Sequence, residues 1–151
     1  MPSHSSNYYG TSLLSLLPPA NRTASANSGS FDITNYDSAT FAVEVGQTGD
    51  TFSGTNRVEA SLQESDDNTN WTPVSDNNVT NPVAGQNTGT FMVLTANSQA
   101  GSASAAVIYK AGYIGSKRYA RVALTNYGTT ATGTPMSVIA VGGRPRYAPA
   151  A

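Results

Sequence analysis

The sequence predicts an all-β protein, an antiparallel β-sandwich of the jelly-roll or immunoglobulin-like type with about eight strands. Apolar and polar residues alternate with a period of two in several short runs, as in half-buried strands. Turn-forming residues recur about every 8–15 positions, with no helical stripe between them. Charged residues make up only 11% of the chain, and the abundant Ser, Thr and Asn disfavour helices because their side chains compete for backbone hydrogen bonds.

A chain of 151 residues is long enough for one domain with its own core. We expect an irregular N-terminal arm over residues 1–28, because Pro18 and Pro19 interrupt regular structure there. The sandwich domain is expected over residues 29–142. The last segment, 143–151, contains two prolines and is expected to be an extended C-terminal tail.

Seven alternating runs predict the strands in chain order. They cover residues 31–33, 39–45, 57–64, 88–95, 105–111, 117–125 and 136–141. The run at 57–64 is the clearest, since Val58, Ala60 and Leu62 point to one side and the polar residues between them to the other. After the turn that follows this run, Trp71 and Val74 bring apolar surface back. We expect about eight strands in all.

A polar turn follows the strand at 57–64 and raises the question of a metal site. Asp66, Asn68 and Asn70 occupy alternate positions, as in the opening of a calcium loop. The glycine expected at the sixth position is Trp71, and the glutamate expected at the twelfth is Asn77. We therefore expect a strand-connecting turn without metal, with Trp71 as a core anchor.

The chain carries little catalytic equipment, so we expect neither an enzyme nor a cofactor. His4 is the only histidine and there is no cysteine, which leaves no rigidly placed imidazole and no thiolate. Most carboxylates stand in turn-like segments, where turn formation explains them. The basic run of Lys117, Arg118 and Arg121 is expected on a solvated or subunit-facing strand. With a net charge of -1, we expect no direct nucleic-acid partner.

Four leucines and a basic tail are the candidate interface residues. Leu13, Leu14, Leu16 and Leu17 stand in an otherwise polar arm, where leaving each in water forgoes about 1.5–3 kcal/mol of burial. They either tuck onto this domain's own core or dock on a neighbouring subunit. This apolar run is too short to span a membrane or to form the core of a signal peptide. The candidate interface residues of the tail are Arg144, Arg146 and Tyr147. The two arginines either pair with an acidic neighbour or are simply solvated.

Several stretches resemble a family of small virion proteins of tailed bacteriophages and gene-transfer particles. They read LLPPANRTAS, FDITNYDSATFAVEVG, VEASLQESDDNTNWTPV, YIGSKRYARVALT and SVIAVGGRPRYAP. The resemblance implies a capsid cement, or decoration, protein that binds the outside of the shell and bridges major capsid subunits. It further implies a homotrimer, synthesised in the bacterial host cytoplasm and located on the virion, with the major capsid protein as partner and no contact with a membrane.

Two other functions remain open from the residues. One is a structural role in the tail, the neck or the base of a head fibre. The other is a carbohydrate-binding module, since sandwiches of this size hold sugars on exposed aromatic rings. The available rings are Tyr8, Tyr9, Trp71, Tyr109, Tyr113 and Tyr127.

Overall fold

The computed structural model describes residues 10–146, and these form ten β-strands. The strands are β1 (Thr11–Arg22), β2 (Ala26–Asn27), β3 (Phe31–Asp32), β4 (Tyr36–Val45), β5 (Arg57–Ser65), β6 (Thr72–Pro73), β7 (Thr90–Leu94), β8 (Val107–Tyr113), β9 (Tyr119–Tyr127) and β10 (Thr134–Pro145). Short 3₁₀ turns occupy Asp76–Asn78 and Asn97–Gln99. Within residues 10–146 no helix is long and apolar enough to cross a membrane.

The strands form two antiparallel sheets that pack face to face, which confirms the predicted all-β sandwich. The first sheet has the order β1-β10-β4-β8, and the second contains β2-β9-β5-β6 with β3 and β7 at its edges. Both β2 and β3 pair with β9, and both β6 and β7 pair with β5. Each edge of the second sheet is thus one interrupted strand. Counted in this way, the eight strands and their order are those of a jelly roll rather than an immunoglobulin fold.

The core lies between the inward faces of the two sheets. From β5 it receives Val58, Ala60 and Leu62, which are fully buried as the alternation predicts. From β4 it receives Phe41 and its apolar neighbours at every second position. The ring of Phe31 meets the ring of Phe41 edge to face at 6.2 Å between centroids. The predicted strand pattern therefore identifies the buried side of both sheets.

The predicted irregular arm at residues 1–28 is wrong for most of its described part. The 12-residue strand β1 pairs antiparallel with β10, and Leu16 joins the hydrophobic core. Pro18 and Pro19 do not end the strand because β1 is an edge strand and neither proline has a register partner on β10. The pairing shifts register between Ser15 and Leu17 and again between Leu17 and Ala20, which accommodates the prolines.

The predicted C-terminal tail also begins too early. Strand β10 continues to Pro145, between β1 and β4. Beyond it, the backbone N–H of Arg146 donates to the carbonyl of Asn35 at 2.8 Å. The sequence prediction fails here because two glycines and a proline weaken a strand locally, whereas pairing on both sides holds it. Tyr147 and the rest of 147–151, like residues 1–9, lie outside the described part of the chain.

The turn after β5 is held by one aspartate. The Oδ1 of Asp67 accepts from the backbone N–H of Thr69 at 2.9 Å and of Asn70 at 2.7 Å, and from the Ser65 hydroxyl at 2.9 Å. These hydrogen bonds to the ionised form hold the pKa of Asp67 well below its usual range. Asn68 sits at φ 60°, a left-handed conformation that Asn tolerates. The carboxylate thus serves the turn itself.

Trp71 is not the core anchor that the sequence predicts. Its ring is half-buried on the outer side of the second sheet, outside the hydrophobic core. The guanidinium of Arg121 lies 4.3 Å from the ring centroid, a cation–π contact. Val74, three residues later, takes the buried position.

Candidate functional site

The large exposed apolar side chains of residues 10–146 are concentrated on the first sheet. Among residues 10–146, five large apolar side chains are exposed, and each lies on the first sheet or directly after β8. They are Leu13, Leu14, Ile108, Ile114 and Ile139, exposed by 72%, 46%, 64%, 65% and 36%. Clustering of this kind marks an interaction surface, whereas single scattered apolar residues do not.

The register of the first sheet shows how these side chains are arranged. Because Val138 and Ala140 are buried in the core, their neighbours Ile139 and Val141 point outward. Leu13 lies beside Val141, and Ile139 lies beside Ala42. We call this outward surface of the first sheet the apolar face; its apolar members are Leu13, Ala42, Ile108, Ile139 and Val141. It runs from the β1 edge across the sheet to the β8 edge.

The structure divides the four candidate leucines between two roles. Leu16 is buried and Leu17 packs partly against the core. Leu13 stands on the apolar face, while Leu14 lies opposite Ala140 on the core side but stays exposed at the sheet edge. Leu16 and Leu17 therefore pack inward, whereas Leu13 and Leu14 remain exposed to solvent.

The candidate tail arginines lie at the same end of the sheet as Leu13. The pairing of Thr11 with Gly143 places Arg144 next to the beginning of β1. Arg144 has φ 53°, an uncommon left-handed conformation for a side-chain-bearing residue. The Nε of Arg146 donates to Oδ1 of Asp37 at 2.8 Å, an exposed ion pair worth little stability by itself.

Few charges interrupt the apolar face. On β4, Glu44 is exposed and accepts a hydrogen bond from the Ser137 hydroxyl at 3.2 Å. On β8, Lys110 is exposed two residues from Ile108. A shallow cavity of about 210 Å³ opens beside Glu44; its other lining residues are Pro19, Gly46, Ala106, Pro135, Met136 and Ser137. One carboxylate and one ammonium group thus stand on an otherwise neutral surface.

The second sheet presents a different surface, in which arginines cover aromatic rings. The guanidinium of Arg57 lies 4.2 Å from the centroid of Tyr127, and that of Arg121 covers Trp71.

The tyrosines of β8, in the first sheet, are also engaged within the protein. Tyr113 is buried, and its hydroxyl donates to Glu64 at 2.6 Å. Burial, followed by this bond to Glu64, raises the pKa of Tyr113. The Tyr109 hydroxyl donates to the Gln99 carbonyl at 2.7 Å. The described members of the proposed sugar-stacking rings are therefore partly covered or engaged within the protein, and Tyr8 and Tyr9 lie outside the described residues.

A polar cleft, the end cleft, opens at one end of the sandwich. It measures about 420 Å³, and its lining includes Thr34, Tyr36, Asp66, Lys117, Arg118 and Arg146. Arg118 donates to Asp32 through Nε at 3.1 Å and Nη2 at 2.7 Å, and this bond is the main cause that lowers the pKa of Asp32 to about 2. Residues 10–146 contain no group of three or more His, Cys, Asp or Glu placed to share a metal ion.

Sequence reasoning missed Ile108 and Ile139 as surface residues. Ile139 stands in an uninterrupted apolar run, so no polar neighbour marks its outward side. Ile108 and Lys110 lie on the same side of β8. The sequence alone does not show that this side faces solvent, because the buried side of β8 is not apparent from it. A strand with apolar residues on both sides indicates that the side facing away from the core is also covered, and this pattern could have identified Ile139.

Comparison with known proteins finds no matching family model and no matching curated protein. Two solved structures are similar in shape. The SPBc2 prophage-derived protein YomS is 14% identical, with 87% of this chain and 91% of that chain covered and a TM-score of 0.48. The sugar-binding EclA C-terminal domain is 11% identical, with 93% and 81% covered and a TM-score of 0.39. At these TM-scores neither protein's function transfers to this chain.

Proposed function

We propose that this protein is a structural virion component that binds the outside of a phage capsid through the apolar face and stabilises the shell by bridging major capsid subunits. The observation that carries the proposal is that three of the five exposed large apolar side chains of residues 10–146, those of Leu13, Ile108 and Ile139, lie on the apolar face. The stretches of sequence that resemble virion proteins support the capsid as the setting. The partner is then the major capsid protein, and the location is the virion surface.

The chemistry of the apolar face suits a protein partner. Burial of a side chain such as Leu13 or Ile108 is worth about 1.5–3 kcal/mol when complete. Specific interfaces combine such an apolar centre with a polar rim, and here Glu44 and Lys110 supply charges that orient the partner. A modest interface is sufficient on a shell, because many copies bound at subunit junctions act together.

Co-sedimentation with capsids that lack this protein tests the proposal. We expect the wild-type protein to pellet with the capsids and to raise their resistance to heat and to low salt. Leu13→Asp and Ile139→Asp should reduce binding at least tenfold, because each places a charge on the apolar face. Gln86→Asp, in the exposed loop between β6 and β7, is the matched control and should bind like the wild type. Binding unaffected by both face variants would refute the proposal.

Copy number separates the shell and the tail tube from the neck and the base of a fibre. A cement protein is present in hundreds of copies per particle, whereas a protein of the neck or of a fibre base is present in a handful. Quantitative mass spectrometry of purified particles measures this ratio directly. A handful of copies would favour the neck or fibre-base alternative, whereas hundreds of copies fit the shell or the tail tube.

The end cleft favours carbohydrate binding as the second candidate function. Its volume lies within the range of small-ligand sites, and it combines the carboxylate of Asp66 and the ammonium of Lys117 with the ring of Tyr36. Sugars are recognised by such mixtures of donors, acceptors and an apolar surface. A glycan array tests this function: binding abolished in an Asp66→Ala, Lys117→Ala double variant would support it, and no binding by the wild type would remove it.

A further inference from the structure

The free edge of β8 is the part of the first sheet that is open to another strand. In a strand, the backbone N–H and C=O groups of alternate residues point to the same edge. The N–H of Gly112 donates to the Thr80 hydroxyl at 2.6 Å, and its carbonyl accepts from the Thr80 N–H at 3.0 Å. Both groups of Gly112 therefore point away from β4. By alternation, the N–H and C=O groups of Ile108 and Lys110 point to the same outer edge.

The chain covers only one half of this edge. Thr80 caps it at Gly112, and the carbonyl of Asn78 accepts from the N–H of Ile114 at 2.9 Å. At Ile108 and Lys110, no hydrogen bond to the outer edge is found within residues 10–146. The opposite edge of the sheet is protected differently, by Pro18 and Pro19 in β1. An open segment with an Ile that is 64% exposed is suited to strand addition.

We propose that two copies of this chain pair their β8 strands antiparallel across a two-fold axis near Tyr109, which joins the two first sheets into one. Ile108 then lies opposite the partner's Lys110, and the outward N–H and C=O groups at these positions form four hydrogen bonds across the axis. The Thr80 cap of each copy ends the pairing. Such an interface has the self-complementary form of a two-fold contact.

Charge complementarity favours a second copy as the added strand. Glu44 lies beside Ile108 in the register of β4 and β8. In the paired sheets, Glu44, Ile108 and the partner's Lys110 therefore stand side by side on three successive strands. A lysine side chain is long enough to reach past Ile108 toward the Glu44 carboxylate. The same ion pair forms twice, once on each side of the axis. Between these pairs, Ile108 loses its exposure to water.

This pairing describes how copies of the protein associate on the shell. It rests on the proposed function only for that location. The paired stretch is short, so the dimer should be weak in solution and effective where a shell concentrates the copies. The resemblance to virion proteins implies a trimer instead. The mass of the associated species therefore distinguishes the two arrangements.

Analytical ultracentrifugation of the full chain, from micromolar to submillimolar concentration, tests the pairing. We expect the wild type to shift from monomer to dimer mass as concentration rises. Lys110→Glu and Glu44→Lys should each weaken the dimer at least tenfold, because each brings like charges together. The double variant should return to within threefold of the wild type. Gln86→Asp is the control that leaves the association unchanged.

A backbone variant separates strand pairing from charge. Ile108→Pro removes an outward N–H that makes no bond to β4, so the fold should be kept, as judged by circular dichroism, while the dimer is lost. A wild type that stays monomeric at the highest concentration, a trimer, or a double variant as weak as the single ones would overturn the proposal. Because no capsid is present, this result is independent of the co-sedimentation result.

Discussion

At the residue scale, Gly89 lies just before β7, close to the point where β6 and β7 meet along β5. The Leu62 N–H donates to the Gly89 carbonyl at 2.9 Å, and the Leu62 carbonyl accepts from the Val74 N–H at 3.0 Å. Gly89 has φ +80°, and a Cβ there would lie 2.7 Å from the Val74 carbonyl oxygen. Both the backbone conformation and the space therefore demand glycine.

We expect Gly89→Ala to lower the free energy of unfolding by about 2–4 kcal/mol, through left-handed strain and overpacking together. Gly85→Ala is the matched control, because Gly85 has φ +78° but an added Cβ there meets no atom within 4 Å. It should cost only about 1–2 kcal/mol. Urea unfolding of the three proteins measures the difference, and equal losses would show that close packing around Gly89 is unimportant.

At the element scale, β1 belongs to the sandwich rather than to a loose arm, and two of its leucines test this. Leu16→Ala should cost about 2–3 kcal/mol of unfolding free energy, since Leu16 is only 8% exposed and lies in the core. Leu13→Ala, on the same strand but 72% exposed, should stay within about 0.5 kcal/mol of the wild type. Thermal denaturation of both variants compares them. A Leu16 variant as stable as the Leu13 variant would mean that β1 contributes little to the core.

Elements could be predicted where one side of a strand is polar, and not otherwise. The alternation of Val58, Ala60 and Leu62 with polar side chains predicts the strand at 57–64 almost to the residue. The sequence does not predict β1, because Pro18 and Pro19 disfavour strands except at an edge, and edge position is a property of the assembled sheet. The predicted strand at 136–141 is six residues shorter than β10. The glycines and the proline at its end disfavour a strand locally, and only the pairing with β1 and β4 extends it.

At the scale of the whole molecule, both sheets share one core, so they should unfold together. The single tryptophan, Trp71, lies on the second sheet, whereas circular dichroism reports strands of both sheets. We expect coincident urea transitions by fluorescence and by circular dichroism, with a slope of about 1–3 kcal/mol per molar urea. Separate midpoints would show that the first sheet is stable without the second.

The candidate site could be predicted only in part. The sequence indicates Leu13 and Leu14 because leucines are conspicuous in a polar segment. Ile108 and Ile139 were not, because nothing in their local sequence says that they point away from the core. Their outward direction follows from the pairing of β10 with β4 and of β4 with β8, contacts between residues far apart in the chain.

By itself, the sequence determined the all-β class, the positions of the central strands and the absence of cysteine chemistry, because alternation and composition act locally. Only the tertiary structure decided that the arm is a strand, that Trp71 faces outward and that the first sheet carries most of the large exposed apolar residues. The physical reason is that sheet edges and outward faces are created by long-range pairing. A side chain's neighbours across a sheet are not its neighbours in sequence.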